Sequence, residues 1–185
     1  MALVPSTMPE LGIPAPPFSL PDTSGKLVSL DDFAAAPALL VAFWCNHCPY
    51  VRHIREAFVT FAREYQAKQV SIVAISSNDT VSHPQDSPAY MRKDAEEFGY
   101  AFPYLYDASQ DIARAYDAAC TPDFFVYDAN RQLAYRGRFD AATPGNDAPV
   151  TGNELRAAID TVIEGRRPKA EQMPSIGCNI KWRTQ

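Results

Sequence analysis

The feature that most constrains this chain is a short one. An unbroken apolar run, Ala38-Leu39-Leu40-Val41-Ala42-Phe43, leads directly into Trp44-Cys45-Asn46-His47-Cys48-Pro49. Six apolar residues without alternation match a strand buried on both faces of a parallel sheet. Beyond the cysteines, Val51, Ile54, Phe58, Phe61 and Tyr65 recur at spacings of three and four. That is one face of an amphipathic helix reaching about residue 68. Proline is tolerated in the first turn of a helix, so Pro49 marks the helix start and puts both cysteines at its N-terminal end. The local unit is therefore strand, two thiols, helix.

The rest of the chain extends this alternation. Residues 18–20 and 26–30 flank the turn Pro21-Asp22-Thr23-Ser24-Gly25 and read as a hairpin. Residues 70–76 form a second buried strand, followed by a polar loop to residue 86. Ser87-Pro88 opens a helix to about residue 98 as N-cap and first helical position. Residues 102–106 suit a short strand and 109–116 a short helix. Residues 123–127 and 133–139 read as a hairpin about the turn Asp128-Ala129-Asn130-Arg131, and residues 154–164 as a last helix stopped by Gly165. The pattern is α/β with a mixed central sheet flanked by helices. We expect a flexible N-terminus over residues 1–11, one domain over 12–165, and a tail over 166–185 whose Ile176, Ile180 and Trp182 pack on the body.

Composition narrows the function classes. A net charge of -5 with no run of Lys or Arg argues against a nucleic-acid surface. The opening residues lack a basic segment and are interrupted by five prolines up to Pro17, so no secretory signal is expected. No apolar stretch approaches the roughly 20 residues needed to span a bilayer. A cytoplasmic, membrane-free protein is the expectation. Four cysteines are too few for a disulfide-stapled scaffold, so their positions matter more than their number.

At the first turn of a helix, Cys-x-x-Cys places two sulfurs within disulfide reach, close to unpaired backbone N–H groups. Those donors and the helix dipole favour a thiolate. On this reading Cys45 is the acidic, more exposed nucleophile, His47 assists it, and Cys48 is the resolving thiol. A second element, Cys120-Thr121-Pro122, precedes the strand over residues 123–127. An X-Pro bond at the mouth of a strand is a candidate for the cis form, which would turn Thr121 backbone groups toward a docked peptide. Trp44 serves equally well as a pocket wall or as packing.

The motifs Phe43-Trp44-Cys45-Asn46-His47-Cys48-Pro49, Cys120-Thr121-Pro122-Asp123-Phe124-Phe125 and Pro174-Ser175-Ile176-Gly177-Cys178-Asn179-Ile180-Lys181-Trp182 together resemble a thioredoxin-like branch of the alkyl hydroperoxide reductase/thiol-specific antioxidant family, which is peroxiredoxin-like. The likeness runs from about Gly12 to the end of the chain. It implies a thioredoxin fold with an N-terminal hairpin extension, a redox-active Cys45 partnered by Cys48, and a cis Pro122. Two departures stand out. Thioredoxins usually carry a buried carboxylate shortly before the first cysteine, and residues 39–44 contain none. Peroxiredoxins place Thr or Ser three residues before the peroxidatic cysteine and Pro seven before; counted from Cys48, those positions hold Cys45 and Val41.

Three functions follow. The leading one is a thiol-disulfide oxidoreductase acting on a protein or small-molecule disulfide and served by a thioredoxin- or glutathione-type reductant, with no cofactor. The second is a thiol-dependent peroxidase with an antioxidant role in cell redox homeostasis. The third is a soft-metal protein using Cys45, His47, Cys48 and Cys178, disfavoured because donors on one helical turn seldom close a tetrahedral site. Cys120 and Cys178 are read first as small buried packing residues and second as additional redox thiols. His53 and His83 are expected at the surface.

Overall fold

The computed structural model describes residues 2–184. In chain order it contains β1 (Leu3–Pro5), β2 (Ser19–Pro21), β3 (Leu27–Ser29), β4 (Ala38–Phe43), α1 (Pro49–Ala67), β5 (Ser71–Ser76), α2 (Pro88–Phe98), β6 (Tyr104–Tyr106), α3 (Asp111–Ala115), β7 (Cys120–Thr121), β8 (Asp123–Asp128), β9 (Leu133–Gly137), α4 (Asn153–Ile163) and β10 (Ile176–Asn179), with short 3-10 turns at Leu30–Phe33 and Pro84–Asp86.

The central sheet has five strands in the order β6-β5-β4-β8-β9. β4, β5 and β6 are parallel, β8 runs antiparallel to β4, and β9 runs antiparallel to β8. The apolar run is therefore the middle strand, hydrogen-bonded on both sides and covered on both faces. Side chains alternate across a strand. Leu40 and Ala42 face a core shared with Val51, Ile54, Phe58 and Ile159 of the helices, whereas Leu39, Val41 and Phe43 face a second core with Phe18, Val28 and Tyr116. All five residues of the expected helix stripe are buried. Phe58 meets the rings of Trp44, Phe61, Phe102, Phe124 and Phe139 with centroids 4.9–5.9 Å away. Replacing such a ring with Ala costs about 3–5 kcal/mol.

A second, three-stranded antiparallel sheet has the order β1-β10-β7. It departs from the expected boundaries at both ends of the chain. Leu3–Pro5, inside the segment expected to be flexible, is an edge strand on β10. Ser6 continues the attachment through its N–H to the Ser175 carbonyl, 2.9 Å. The tail contains one strand, Ile176–Asn179, too short at four residues for its period to register in the sequence. Ile180 is buried as expected, but Ile176 and Trp182 keep about 40% of their surface exposed. Arg114 stacks over the Trp182 ring at 4.4 Å. Among the described residues, no helix is long and apolar enough to cross a membrane.

Candidate active site

Cys48 is the N-cap of α1 and Pro49 its first residue. The Thr121-Pro122 peptide bond is cis. Between them the cysteines meet: Cys45 Sγ lies 3.2 Å from Thr121 Oγ1, Cys48 Sγ lies 3.1 Å from the Thr121 carbonyl oxygen, and Cys48 Sγ lies 2.8 Å from Cys178 Sγ. All four cysteines are free thiols. As a thiol Cys48 donates to the Thr121 carbonyl. As a thiolate it accepts from the Cys45 thiol, the Cys178 thiol and the backbone N–H groups of Val51 and Cys178. More partners serve the thiolate, and they outweigh burial: led by the Cys45 hydrogen bond, they bring the Cys48 pKa down to about 5.

The surroundings of the pair favour charge on Cys48, and Cys45, expected to be the more exposed thiol, is fully buried. Cys45 is fully buried, and burial, the shared hydrogen bond with Cys48 and the nearby Asp86 charge all push its pKa up. The physical reason is position. Cys48 is the N-cap residue and sits at the positive end of the α1 dipole, which favours a thiolate there. The N–H groups of Asn46 and His47 are taken by Asp86 instead, leaving Cys45 only a hydroxyl.

Asp86, at the end of the loop read only as polar, is fully buried under the Cys-x-x-Cys turn. Its Oδ1 accepts from Asn46 N–H at 2.9 Å and His47 N–H at 3.3 Å; its Oδ2 lies 2.5 Å from His47 Nδ1 and accepts from Asn78 Nδ2 at 2.8 Å. Burial raises its pKa, but these donors, led by His47, hold it below the ordinary carboxylate value. His47 is therefore turned to Asp86, and it stacks on His83 at 5.0 Å. His83 is half-buried for that reason, whereas His53 is exposed as expected. Cys45, His47 and Asp86 each offer a ligand atom, all within 4.8 Å of one another. The Asp86 oxygens are already saturated by hydrogen bonds, so the carboxylate is built to anchor the turn.

A second buried acid, Asp123, follows the cis proline and pairs in register with Phe43. Burial pushes its pKa up to about 7, against hydrogen bonds from the Ser6 hydroxyl and Phe124 N–H. Its Oδ2 has no partner. Neither acid lies in the 39–44 segment, which is why the sequence reading missed them. An acid opening an otherwise apolar strand is the one signal available for Asp123. Trp44 is packing: it is fully buried, and its Nε1 donates to Tyr100 Oη at 3.1 Å. Cys120 is buried with its sulfur 3.8 Å from the Pro122 carbonyl oxygen. Pro122 also walls an open, mostly apolar cavity of about 320 Å³, shared with Tyr50, Ile54, Phe124, Phe139 and Ile176.

Comparison with known proteins places this arrangement. A crystal structure of a conserved protein from Geobacillus kaustophilus is 49% identical and superposes with a TM-score of 0.97 over 100% of this chain and 98% of its own. The thiol-disulfide oxidoreductase ResA of Geobacillus thermodenitrificans is 28% identical over 133 residues, 69% of this chain and 68% of its own. A thioredoxin from Neisseria meningitidis, 24% identical, matches with a TM-score of 0.63 over 81% of this chain and 89% of its own, a likeness of fold: the fold is thioredoxin-like. The AhpC/TSA family matches residues 11–136, spanning the cysteine turn, the cis proline and the central sheet, and the chain belongs to that family.

Proposed function

We propose that this protein is a thiol-disulfide oxidoreductase cycling Cys45 and Cys48 between dithiol and disulfide, with Cys48 as attacking thiolate and Cys45 as resolving thiol. The observation that carries the reading is the Cys48 sulfur at the N-cap of α1, in contact with Cys45 and beside the cis Thr121-Pro122 peptide. The Cys48 thiolate attacks one sulfur of a substrate disulfide, and the other sulfur departs as a thiolate that takes up a proton. Cys45 then attacks Cys48, closing the Cys45–Cys48 bond and releasing the second substrate sulfur. Both sulfurs are buried, so a substrate engages them after a local opening. Thr121 and Pro122 position it, and a thioredoxin- or glutathione-type reductant, supplying two thiols per disulfide, returns the pair to the reduced state.

The test is a redox titration in glutathione buffers from pH 6 to 8, with peroxide consumption followed on the same sample. One thiolate and one thiol in the reduced pair bind one proton per two electrons, so the midpoint potential should fall by about 30 mV per pH unit. A slope of about 59 mV would mean two protonated thiols and remove Cys48 as the resident thiolate. Peroxide turnover is the second reading. Its support is that the surroundings favour charge on Cys48, the position a peroxiredoxin frame would make peroxide-reactive, although Cys45 and Val41 stand where the activating hydroxyl and proline belong. Fast peroxide consumption with a sulfenic acid on Cys48 would replace the first reading with this one.

A further inference from the structure

Cys48 has two sulfur neighbours, not one. Besides Cys45 it touches Cys178, 2.8 Å away, from a strand 130 residues further along the chain. Closing that gap to the roughly 2.05 Å of a disulfide takes a movement of under about 1 Å. The placement is built rather than incidental. β10 is the middle strand of its sheet, and Cys178 sits in register with Leu3 on one side and Thr121 on the other. A Cβ on Gly177 would come within 2.1 Å of the Thr121 carbonyl oxygen, so a glycine is what lets β10 approach the cis-proline segment this closely. The strand's far end is tied down by Asp79 N–H to the Lys181 carbonyl at 2.8 Å, Lys181 N–H to Asn78 Oδ1 at 2.8 Å and Gln110 Nε2 to the Lys181 carbonyl at 2.9 Å. Cys178 is only 5% exposed, so the thiol chemistry open to it is with Cys48. Cys120, equally buried, has no such contact: its sulfur is spent on the Pro122 carbonyl.

We propose that Cys178 is a second resolving thiol for Cys48, so that the oxidised protein holds a Cys48–Cys178 disulfide in exchange with Cys45–Cys48. The inference rests on the exchange reading of Cys48. In the step, Cys178 Sγ attacks Cys48 Sγ while Cys48 is bonded to a substrate sulfur or to Cys45. The Cys48–Cys178 bond forms, the older bond breaks, and its electron pair leaves on the substrate or Cys45 sulfur, which takes up the proton Cys178 releases. No electrons are gained or lost in the exchange; the two-electron oxidation came from the substrate disulfide. Burial and contact with Cys48 push the Cys178 pKa up to about 12, which slows the attack, and the fixed position at Cys48 offsets that through a high effective concentration. The consequence is a protein that can store an oxidised Cys48 in its interior while Cys45 is free.

The experiment compares Cys45→Ala with the double variant Cys45→Ala/Cys178→Ala. Each is treated with glutathione disulfide, quenched in acid, alkylated and mapped by mass spectrometry. The expected result is that glutathione leaves Cys48 at least about 10-fold faster in the single variant, with a Cys48–Cys178 cross-linked peptide in its place. Equal lifetimes of the Cys48 adduct, with Cys178 alkylated in the single variant, would overturn the second resolving thiol and leave the exchange reading intact. No adduct at Cys48 in either variant and no disulfide in the unmodified protein would overturn both. Should the double variant fail to fold, the unmodified protein decides: at the midpoint of a glutathione titration a Cys48–Cys178 peptide supports the inference, and Cys45–Cys48 alone refutes it.

Discussion

Two carboxylates lie fully buried on either side of the thiols, and their surroundings push them in opposite directions. Asp86 and Asp123 both expose none of their surface. Asp86 collects donors on both oxygens and stays below the ordinary carboxylate pKa; Asp123 has one oxygen unpartnered and rises to about 7. Burial alone therefore does not decide the charge state: hydrogen bonds led by His47, together with its charge, outweigh it at Asp86, whereas at Asp123 burial outweighs the hydrogen bonds the carboxylate receives. Asp86 is held charged as the anchor of the Cys-x-x-Cys turn. Asp123 exchanges a proton near neutral pH, two residues from Thr121.

The largest test of this contrast is the pH dependence of stability in Asp123→Asn. The pKa of Asp123 is raised by folding, so between about pH 4 and 7 the native state holds a proton that the unfolded chain has lost. The unmodified protein should therefore lose stability relative to the variant as pH rises through that window, by roughly 4 kcal/mol in all, and the difference should level off above it. Paired denaturant melts at pH 4 and pH 8 check this; a difference independent of pH would mean Asp123 titrates normally. Asp86→Ala should act in the opposite sense. It strands four N–H donors and costs about 3 kcal/mol at pH 7, with the penalty shrinking in acid as the native Asp86 is protonated. Equal penalties at pH 7 and pH 3 would contradict a depressed pKa. The smallest effect is expected from Ser6→Ala, which removes a donor from Asp123. The Asp123 pKa should rise further, with stability falling by about 1 kcal/mol above pH 7 and unchanged near pH 4. A carbonyl-detected NMR titration of Asp123 follows it directly.

What could be read without coordinates follows from how local each signal is. β4 and α1 have the bounds their patterns indicate because burial on both faces and a 3.6-residue stripe are imprinted on consecutive residues. The β8–β9 hairpin and α4 were legible for the same reason. The strand at Leu3–Pro5 was not: three residues carry no period, and the attachment to β10 spans almost the entire chain. Ser6, in that same segment, reaches Asp123 over 117 positions. Which cysteine is the N-cap turned on the exact start of the helix, which a Pro at the first position permits but does not specify.

By itself the sequence determined the strand-thiol-helix unit, the position of both cysteines at a helix start and the cis-proline candidate, since each depends on side-chain sizes and backbone restrictions within a few residues. Only the tertiary structure decided where the charge sits and what the sulfurs touch. A pKa and a sulfur contact depend on every donor and every desolvating atom within a few ångströms, and around Cys48 those come from α1, from Thr121 and from Cys178, stretches that meet only when the chain is folded.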